Sequence, residues 1–328
     1  MAIALTIRGT GVYAPRRRVG SAEIDARMGR PEGWTEQQFR IRERGVAAPD
    51  ETSSFMGAEA GRAALQAAGW AAEDLDLIVG ACGVMEQPIP GVAPLVQRRL
   101  GLGASGIPAF DVNATCLSFL LALDIVALGM AAGRWRRVLI VSSDIASAAL
   151  DFSDPEASVI FGDGAAAVAV EAGGEGSLES LRFETYGEGA DLCRLEAGGT
   201  RLRPHEDLPG FLAEARFRMD GPGVFRAVGK RLARTAAAAA EAGGLDLDQI
   251  DLVIPHQASA PGLALLGRML GLADRTVDIF ADTGNQIAAS LPTALHAAAA
   301  AGRLKRGDHC LLIGTSAGVS LGAAVLRW

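Results

Sequence analysis

A long internal duplication limits the folds open to this chain more than any other feature. Ala68-Gly-Trp-Ala-Ala-Glu-Asp-Leu-Asp-Leu-Ile-Val79 resembles Gly243-Gly-Leu-Asp-Leu-Asp-Gln-Ile-Asp-Leu-Val-Ile254, with Asp76 matching Asp251 at an offset of 175 (251 − 76). Ala131-Ala-Gly-Arg-Trp-Arg-Arg-Val-Leu-Ile-Val141 resembles Ala300-Ala-Gly-Arg-Leu-Lys-Arg306 followed by Cys310-Leu-Leu-Ile313, at offsets of 169 (302 − 133) and 172 (311 − 139). The first pair reads in each copy as an Ala-rich helical pattern, a Gly stop, an acidic turn and an apolar strand. The period is about half the chain, so it marks two copies of one α/β unit and not a short tandem repeat.

Strand patterns at Leu77–Val79 and Val138–Ser142 alternate with helical patterns in one copy, as do Leu252–Ile254 and Leu311–Ile313 in the other. Such alternation favours an α/β fold, with sheets covered by helices on both faces. The Gly-rich stretch Ala172-Gly-Gly-Glu-Gly176 reads as the joint, giving an N-terminal half 1–173 and a C-terminal half 174–328. Two related halves create a pseudo-twofold seam, the natural place for a site built from both.

Composition narrows the class. With 328 residues and 49% hydrophobic content a large core can form, and only 5% aromatics with abundant Ala and Gly points to close helix–sheet packing. The four cysteines (82, 116, 193, 310) have no metal-ligand spacing, so we expect neither a metal nor disulfides, and a reducing, cytoplasmic setting. Met1-Ala-Ile-Ala-Leu-Thr-Ile-Arg8 reads as a strand and not a signal peptide. The apolar run 114–132 approaches membrane-spanning length, but Asp124, Thr115 and Ser118 interrupt it, so a buried core helix is expected. A net charge of −7 argues against nucleic acid as a partner.

Three segments carry chemistry. Cys116 stands where a short extended run, Asp111-Val-Asn-Ala-Thr, gives way to the apolar helical pattern. A helix start favours the thiolate through its macrodipole and free N–H groups, making Cys116 a candidate nucleophile; a buried structural cysteine is the plainer alternative. Pro255-His256-Gln257 follows the strand of the second half, where α/β sheets present functional side chains. Asn285 follows Gly284 in a turn that opens another Ala-rich helix, and taken alone it reads as a turn residue with φ > 0.

These segments, in this order on duplicated halves, resemble the thiolase-fold condensing enzymes, closest to the β-ketoacyl-ACP synthase III group. The likeness runs end to end through Gly9-Thr-Gly-Val-Tyr-Ala-Pro15, Ile41-Arg-Glu-Arg44, Ala109-Phe-Asp-Val112, Ile160-Phe-Gly-Asp-Gly-Ala165, Ala288-Ala-Ser290, Pro292 and Gly318…Gly322. It implies the αβαβα layering of that fold and a catalytic set of Cys116, His256 and Asn285. It also implies an oxyanion hole from the N–H groups of Cys116 and Gly318, and substrate contacts from Trp34, Ile89 and Phe161. The implied reaction moves an acyl group from acyl-CoA to Cys116 and condenses it with a decarboxylating malonyl thioester, malonyl-ACP or malonyl-CoA. No cofactor is needed beyond these substrates. The implied partners are acyl-CoA, an acyl carrier protein and a second copy in a homodimer. Arg226, Lys230 and Arg234, four apart on a helical pattern, fall on the helix that docks the acidic carrier in that family; a solvated helix face is the alternative.

The chain departs from the family pattern in places that touch substrate. Phe39-Arg40 replaces Thr-Gly before the Ile-Arg-x-Arg motif, and Gln286-Ile287 replaces Thr-Ser after Gly-Asn. Pro155 and Pro261 stand where the family has arginines that contact the CoA adenine and the phosphopantetheine. Ile89 matches a bulky residue that the partner subunit inserts into the acyl pocket, so a longer or branched acyl chain and a specialised role are expected. Two other functions stay open: an acyltransferase that passes the Cys116 acyl group to an oxygen or nitrogen acceptor without decarboxylation, and a non-catalytic partner of a synthase complex.

Overall fold

The computed structural model describes residues 2–328, apart from the side chains of Glu156 and Lys230. Its strands are β1 (Ile3–Tyr13), β2 (Arg17–Gly20), β3 (Glu43–Val46), β4 (Leu77–Gly80), β5 (Ala109–Asp111), β6 (Arg137–Asp144), β7 (Gly164–Thr185), β8 (Cys193–Arg194), β9 (Arg218–Met219), β10 (Leu252–Pro255), β11 (His309–Ser316) and β12 (Ser320–Arg327). Strand β7 is long enough to serve both halves. Its first part pairs antiparallel with β6 and β1, and β6 continues through parallel β4 to parallel β5. Its second part pairs antiparallel with β12, which continues through antiparallel β11 to parallel β10, and Thr276 makes a parallel bridge beyond it at Val253. The order of pairings and their parallel or antiparallel sense thus repeat between the halves.

The expected joint at 173/174 falls inside β7. There β1 pairs Leu5 with Ala172 but Ala4 with Ser177, so residues 173–176 form a bulge and not a linker. The duplicated Asp76 and Asp251 do the same work. Each N–H donates to a β-strand carbonyl (Arg137 O, 2.8 Å; His309 O, 2.9 Å), and each carboxylate accepts that residue's own N–H at 2.9 Å.

Strand alternation separates three packing layers. Leu77, Val79, Val138 and Ile140 of one half, and Leu252, Ile254, Cys310 and Leu312 of the other, face a shared central core. Between them lie the helices Ser118–Ala131 and Ser290–Ala300. The intervening strand residues face outward: Ile78 and Leu139 meet the helices Ser53–Ala68 and Val92–Arg99, while Val253 and Leu311 meet Gly221–Ala242 and Ala260–Leu270. This is the αβαβα sandwich of the thiolase fold. The apolar run 114–132 is the central helix, with Phe119, Leu120, Leu123 and Val126 fully buried. Among the described residues no helix is long and apolar enough to cross a membrane.

Candidate active site

The two central helices begin with the same turn. In the first half Asn113 Oδ1 accepts the Thr115 N–H at 2.9 Å, Thr115 takes φ 51°, and Ser118 Oγ accepts the Ala114 N–H at 2.9 Å. In the second, Asn285 Oδ1 accepts the Ile287 N–H at 2.9 Å, Ile287 takes φ 52°, and Ser290 Oγ accepts the Gln286 N–H at 2.9 Å. The offset is 172 (285 − 113). Cys116 is therefore the counterpart of Ala288, and Asn285 of Asn113: each half contributes a different member of one duplicated turn. The positive φ lies at Gly284 and Ile287 and not at Asn285.

Cys116 sits in the 3-10 turn Thr115–Leu117 that leads into the helix Ser118–Ala131. Its neighbour Leu117 packs beside His256 because β11 has a glycine there. A Cβ on Gly314 would come within 2.7 Å of His256 Cβ and 3.0 Å of Leu117 Cδ2. The His256 N–H donates to Ile313 O at 2.8 Å, which holds the residue as a continuation of β10 alongside β11. Gly83 joins the two turns: a Cβ there would lie 2.4 Å from Ile287 Cγ2 and 3.3 Å from the Thr115 carbonyl. Asn285 is fixed from its other side, donating its N–H to Ile160 O at 2.7 Å and accepting the Gly162 N–H at 3.1 Å. These bonds use Oδ1, the N–H and the carbonyl of Asn285. Cys116, Phe161, Ile287 and Trp34 share one apolar cluster, and Phe161 meets Phe217 edge-on at 5.1 Å.

Electrostatics correct one expectation. A helix start favours a thiolate, yet burial pushes the Cys116 thiol far above its ordinary range, and the charge of Asp144 adds to the effect. The resting group is the thiol. Burial pulls His256 down to about 4, so its imidazole is neutral at physiological pH; its Nδ1 has no hydrogen-bond partner among the described residues. Cys82, Cys193 and Cys310 are free thiols, as is Cys116.

Asp144, which no sequence motif singles out, is the centre of the scaffold. It is fully buried, and its carboxylate accepts N–H bonds from Gly83 (2.8 Å), Val84 (2.6 Å), Ala288 (3.0 Å) and Ala289 (3.3 Å). Its one sequence signal is a charge at the end of an apolar strand, Val141-Ser-Ser-Asp144, a residue type almost never buried without partners. Two other motifs turn out to be structural. Arg44, 2% exposed, donates to the carbonyls of Ser158 and Val159, and Asp163 accepts from the Ala47 and Ser147 N–H groups at 2.8 Å each.

The remaining candidates lie at the periphery. Trp34 begins a short helix, Trp34–Phe39, edge-on to Phe39 at 5.4 Å, with the Arg30 guanidinium 4.9 Å from its ring. Gly318 (φ 138°) lies in the turn between β11 and β12. Ile89 is 86% exposed and does not enter the site of its own chain. Arg226 and Arg234 lie on the helix Gly221–Ala242, but Gly229 (φ 14°, ψ −122°) kinks it, so the expected single stripe is broken between them. The Lys230 side chain lies outside the described residues.

The family model of 3-oxoacyl-[acyl-carrier-protein (ACP)] synthase III matches residues 110–189, and the model of its C-terminal part matches residues 240–328. β-Ketoacyl-[acyl-carrier-protein] synthase III 3 of Streptomyces coelicolor is 36% identical over 332 residues, spanning 100% of this chain and 98% of that protein. The chain belongs to the β-ketoacyl-ACP synthase III family. Among solved structures of similar proteins, 3-oxoacyl-[acyl-carrier-protein] synthase III from Aquifex aeolicus VF5 superimposes with a TM-score of 0.90 at 30% identity, covering 99% of this chain and 100% of that one. The priming β-ketosynthase from the R1128 polyketide pathway gives 0.89 at 29% identity, covering 99% and 96%. The chain is thus a transferase-type condensing enzyme on the thiolase fold. Two of its departures from the synthase III pattern fall on special backbone: Arg40, in place of the family's Gly, takes φ 60°, and Ile287 takes φ 52° beside Asn285.

Proposed function

We propose that the chain works as a cytoplasmic homodimer and performs decarboxylative Claisen condensation between an acyl group held on Cys116 and a malonyl thioester. Cys116 Sγ attacks the acyl-CoA carbonyl, the carbonyl–sulfur bond to CoA breaks, and the thiol proton leaves with the CoA sulfur. The N–H groups of Cys116 and Gly318 stabilise the oxyanion. A malonyl thioester, on carrier protein or CoA, then binds with its carbonyl oxygen toward His256 and Asn285. Breaking the bond to its carboxylate releases CO₂ and leaves an enolate that accepts hydrogen bonds from those two side chains. The enolate carbon attacks the acyl–Cys116 carbonyl, Cys116 departs as a thiolate with the electron pair and takes up a proton from water to restore the thiol, and a β-ketoacyl thioester is formed. No cofactor takes part, because the thioester and the lost carboxylate supply the driving force.

The observation that carries this reading is that the half opposite the cysteine supplies a neutral imidazole and a neutral amide, His256 and Asn285, both buried. Two uncharged donors suit an anionic enolate, whereas a carboxylate in either place would repel it. Pro155, Pro261 and Ile89 support a specialised acyl range over the housekeeping one.

The test follows both half-reactions. His256→Ala and Asn285→Ala should each keep acylation of Cys116 and lose CO₂ release by about 10²-fold or more, the usual cost of an oxyanion donor. Peptide mapping after brief exposure to acyl-CoA should find the adduct on Cys116 alone. Acyl transfer by the unaltered enzyme with no CO₂ from malonyl-CoA or malonyl-ACP would replace this reading with simple acyltransfer.

A further inference from the structure

We propose that Asp144 is a positioning residue for the condensation: its buried carboxylate holds the turn that aims the Asn285 amide, and it does so from the opposite half of the molecule. The inference rests on the reading of Asn285 as an enolate donor. Four observations carry it.

The carboxylate accepts two N–H bonds from each half: Gly83 and Val84 follow β4, and Ala288 and Ala289 follow Asn285. Between Asn285 and Ala288 lies Ile287, a β-branched residue at φ 52°. That conformation is a true outlier for such a side chain and persists only where the surroundings over-determine it. On its far side the turn is held by the two bonds to Asp144; on its near side the Ile287 N–H holds Asn285 Oδ1 at 2.9 Å. The chain of contacts therefore runs from the carboxylate through two N–H groups and the strained turn to the amide. Finally, the first-half turn bearing Cys116 has the same geometry, but among the described residues neither Cys116 nor Leu117, the counterparts of Ala288 and Ala289, hydrogen-bonds Asp144; the Leu117 N–H goes to Ala114 O at 3.1 Å. Asp144 tethers the Asn285 turn directly, whereas among the described residues it makes no hydrogen bond to the Cys116 turn and raises the thiol through charge.

These two influences have opposite signs, and that makes the role separable from folding. In Asp144→Asn the tether weakens and the charge disappears. CO₂ release from malonyl thioester should fall about tenfold or more, as expected when an oriented donor is misplaced. Alkylation of Cys116 by iodoacetamide, measured in the same sample, should hold its rate or become faster. Alkylation of Cys310, fully buried in the core, is followed in the same sample; it reports any unfolded fraction, whose contribution is subtracted from the Cys116 rate. Asp144→Ser is the smaller second variant, chosen because Ser316 stands at the equivalent place in the second half (316 − 144 = 172); it should show the same split. A parallel fall in both readouts would make Asp144 a structural residue and overturn the proposal, as would CO₂ release at the wild-type rate. Insolubility of both variants would overturn it too, by making Asp144 a folding residue. An unaltered enzyme that releases no CO₂ would defeat the condensing reading and this inference together, whereas normal wild-type release with an unaffected variant defeats this inference alone.

Discussion

His256 and Asp144 pull stability in opposite directions with pH. His256 titrates at about 4 in the fold against 6.5 ordinarily, because burial disfavours the imidazolium. Below 6.5 the unfolded chain takes a proton that the fold refuses, so its contribution is full above 6.5 and is lost as pH falls toward 4. Asp144 is raised from 3.8 to about 7 by burial, against its four N–H donors. Its contribution is full below 3.8 and is lost as pH rises toward 7. The two offset each other in the unaltered protein. Denaturant unfolding between pH 4 and 6.5 should expose them separately. His256→Asn should make stability fall with rising pH, and Asp144→Asn should make it rise, each by about 3 kcal/mol across the window. Identical slopes in both variants would show that neither group is shifted as described. The same residue scale explains why the resting Cys116 is a thiol: loss of water around sulfur outweighs the helix start, since a buried charge costs several times what a helix terminus returns.

At the scale of one element, the helix Gly221–Ala242 was the least legible part of the candidate site. Spacing of four residues puts Arg226, Lys230 and Arg234 in line only if the helix is unbroken, and Gly229 takes a backbone geometry that breaks it. Arg226 lies in the first segment, 3.9 Å from Asp220, and Arg234 in the second, 3.8 Å from Glu184. Both arginines are mostly exposed, so these pairs are weak and leave the guanidiniums available to a partner. The second segment borders the β11–β12 turn: the Arg231 guanidinium lies 4.0 Å from the Tyr186 ring, and Tyr186 exchanges backbone hydrogen bonds with Val319 beside Gly318. Reversing Arg226 and Arg234 to Glu should raise the apparent KM for a carrier-linked malonyl substrate severalfold, and for the CoA-linked one much less. Added salt should shrink the difference, because an acidic carrier surface is what the arginines would attract. Equal effects on both substrates would move these residues from carrier docking to folding or phosphate binding.

For the molecule as a whole, the loop after β4 presents two exposed apolar side chains. Met85 and Ile89 are 40% and 86% exposed. In the homodimer proposed above, the resemblance implies that Ile89 would enter the partner's acyl pocket. Ile89→Phe should then lower kcat/KM for long or branched acyl-CoA relative to acetyl-CoA by about tenfold, the usual cost of overfilling an apolar pocket. An unchanged ratio would place the loop outside the pocket. Much of this plan was readable in one dimension. Covalent order and hydrophobic period are local properties, so the strand–helix alternation, the repeat at Asp76 and Asp251, and the segments carrying Cys116, His256 and Asn285 all stood in the sequence. The shared strand β7 did not, because Gly173 and Gly174 read as a joint, whereas they lie in a bulge of β7 opposite Ala4 and Leu5 of β1. Nor did the matched turns at Asn113 and Asn285, which share a fold but only two side chains in six, Asn and Ser. Asp144 was the least visible, since its meaning lies in N–H groups up to 145 residues away along the chain. The sequence determined which residues could do chemistry; only tertiary structure decided their protonation and aim, because burial and opposing backbone donors come from elements far apart in the chain.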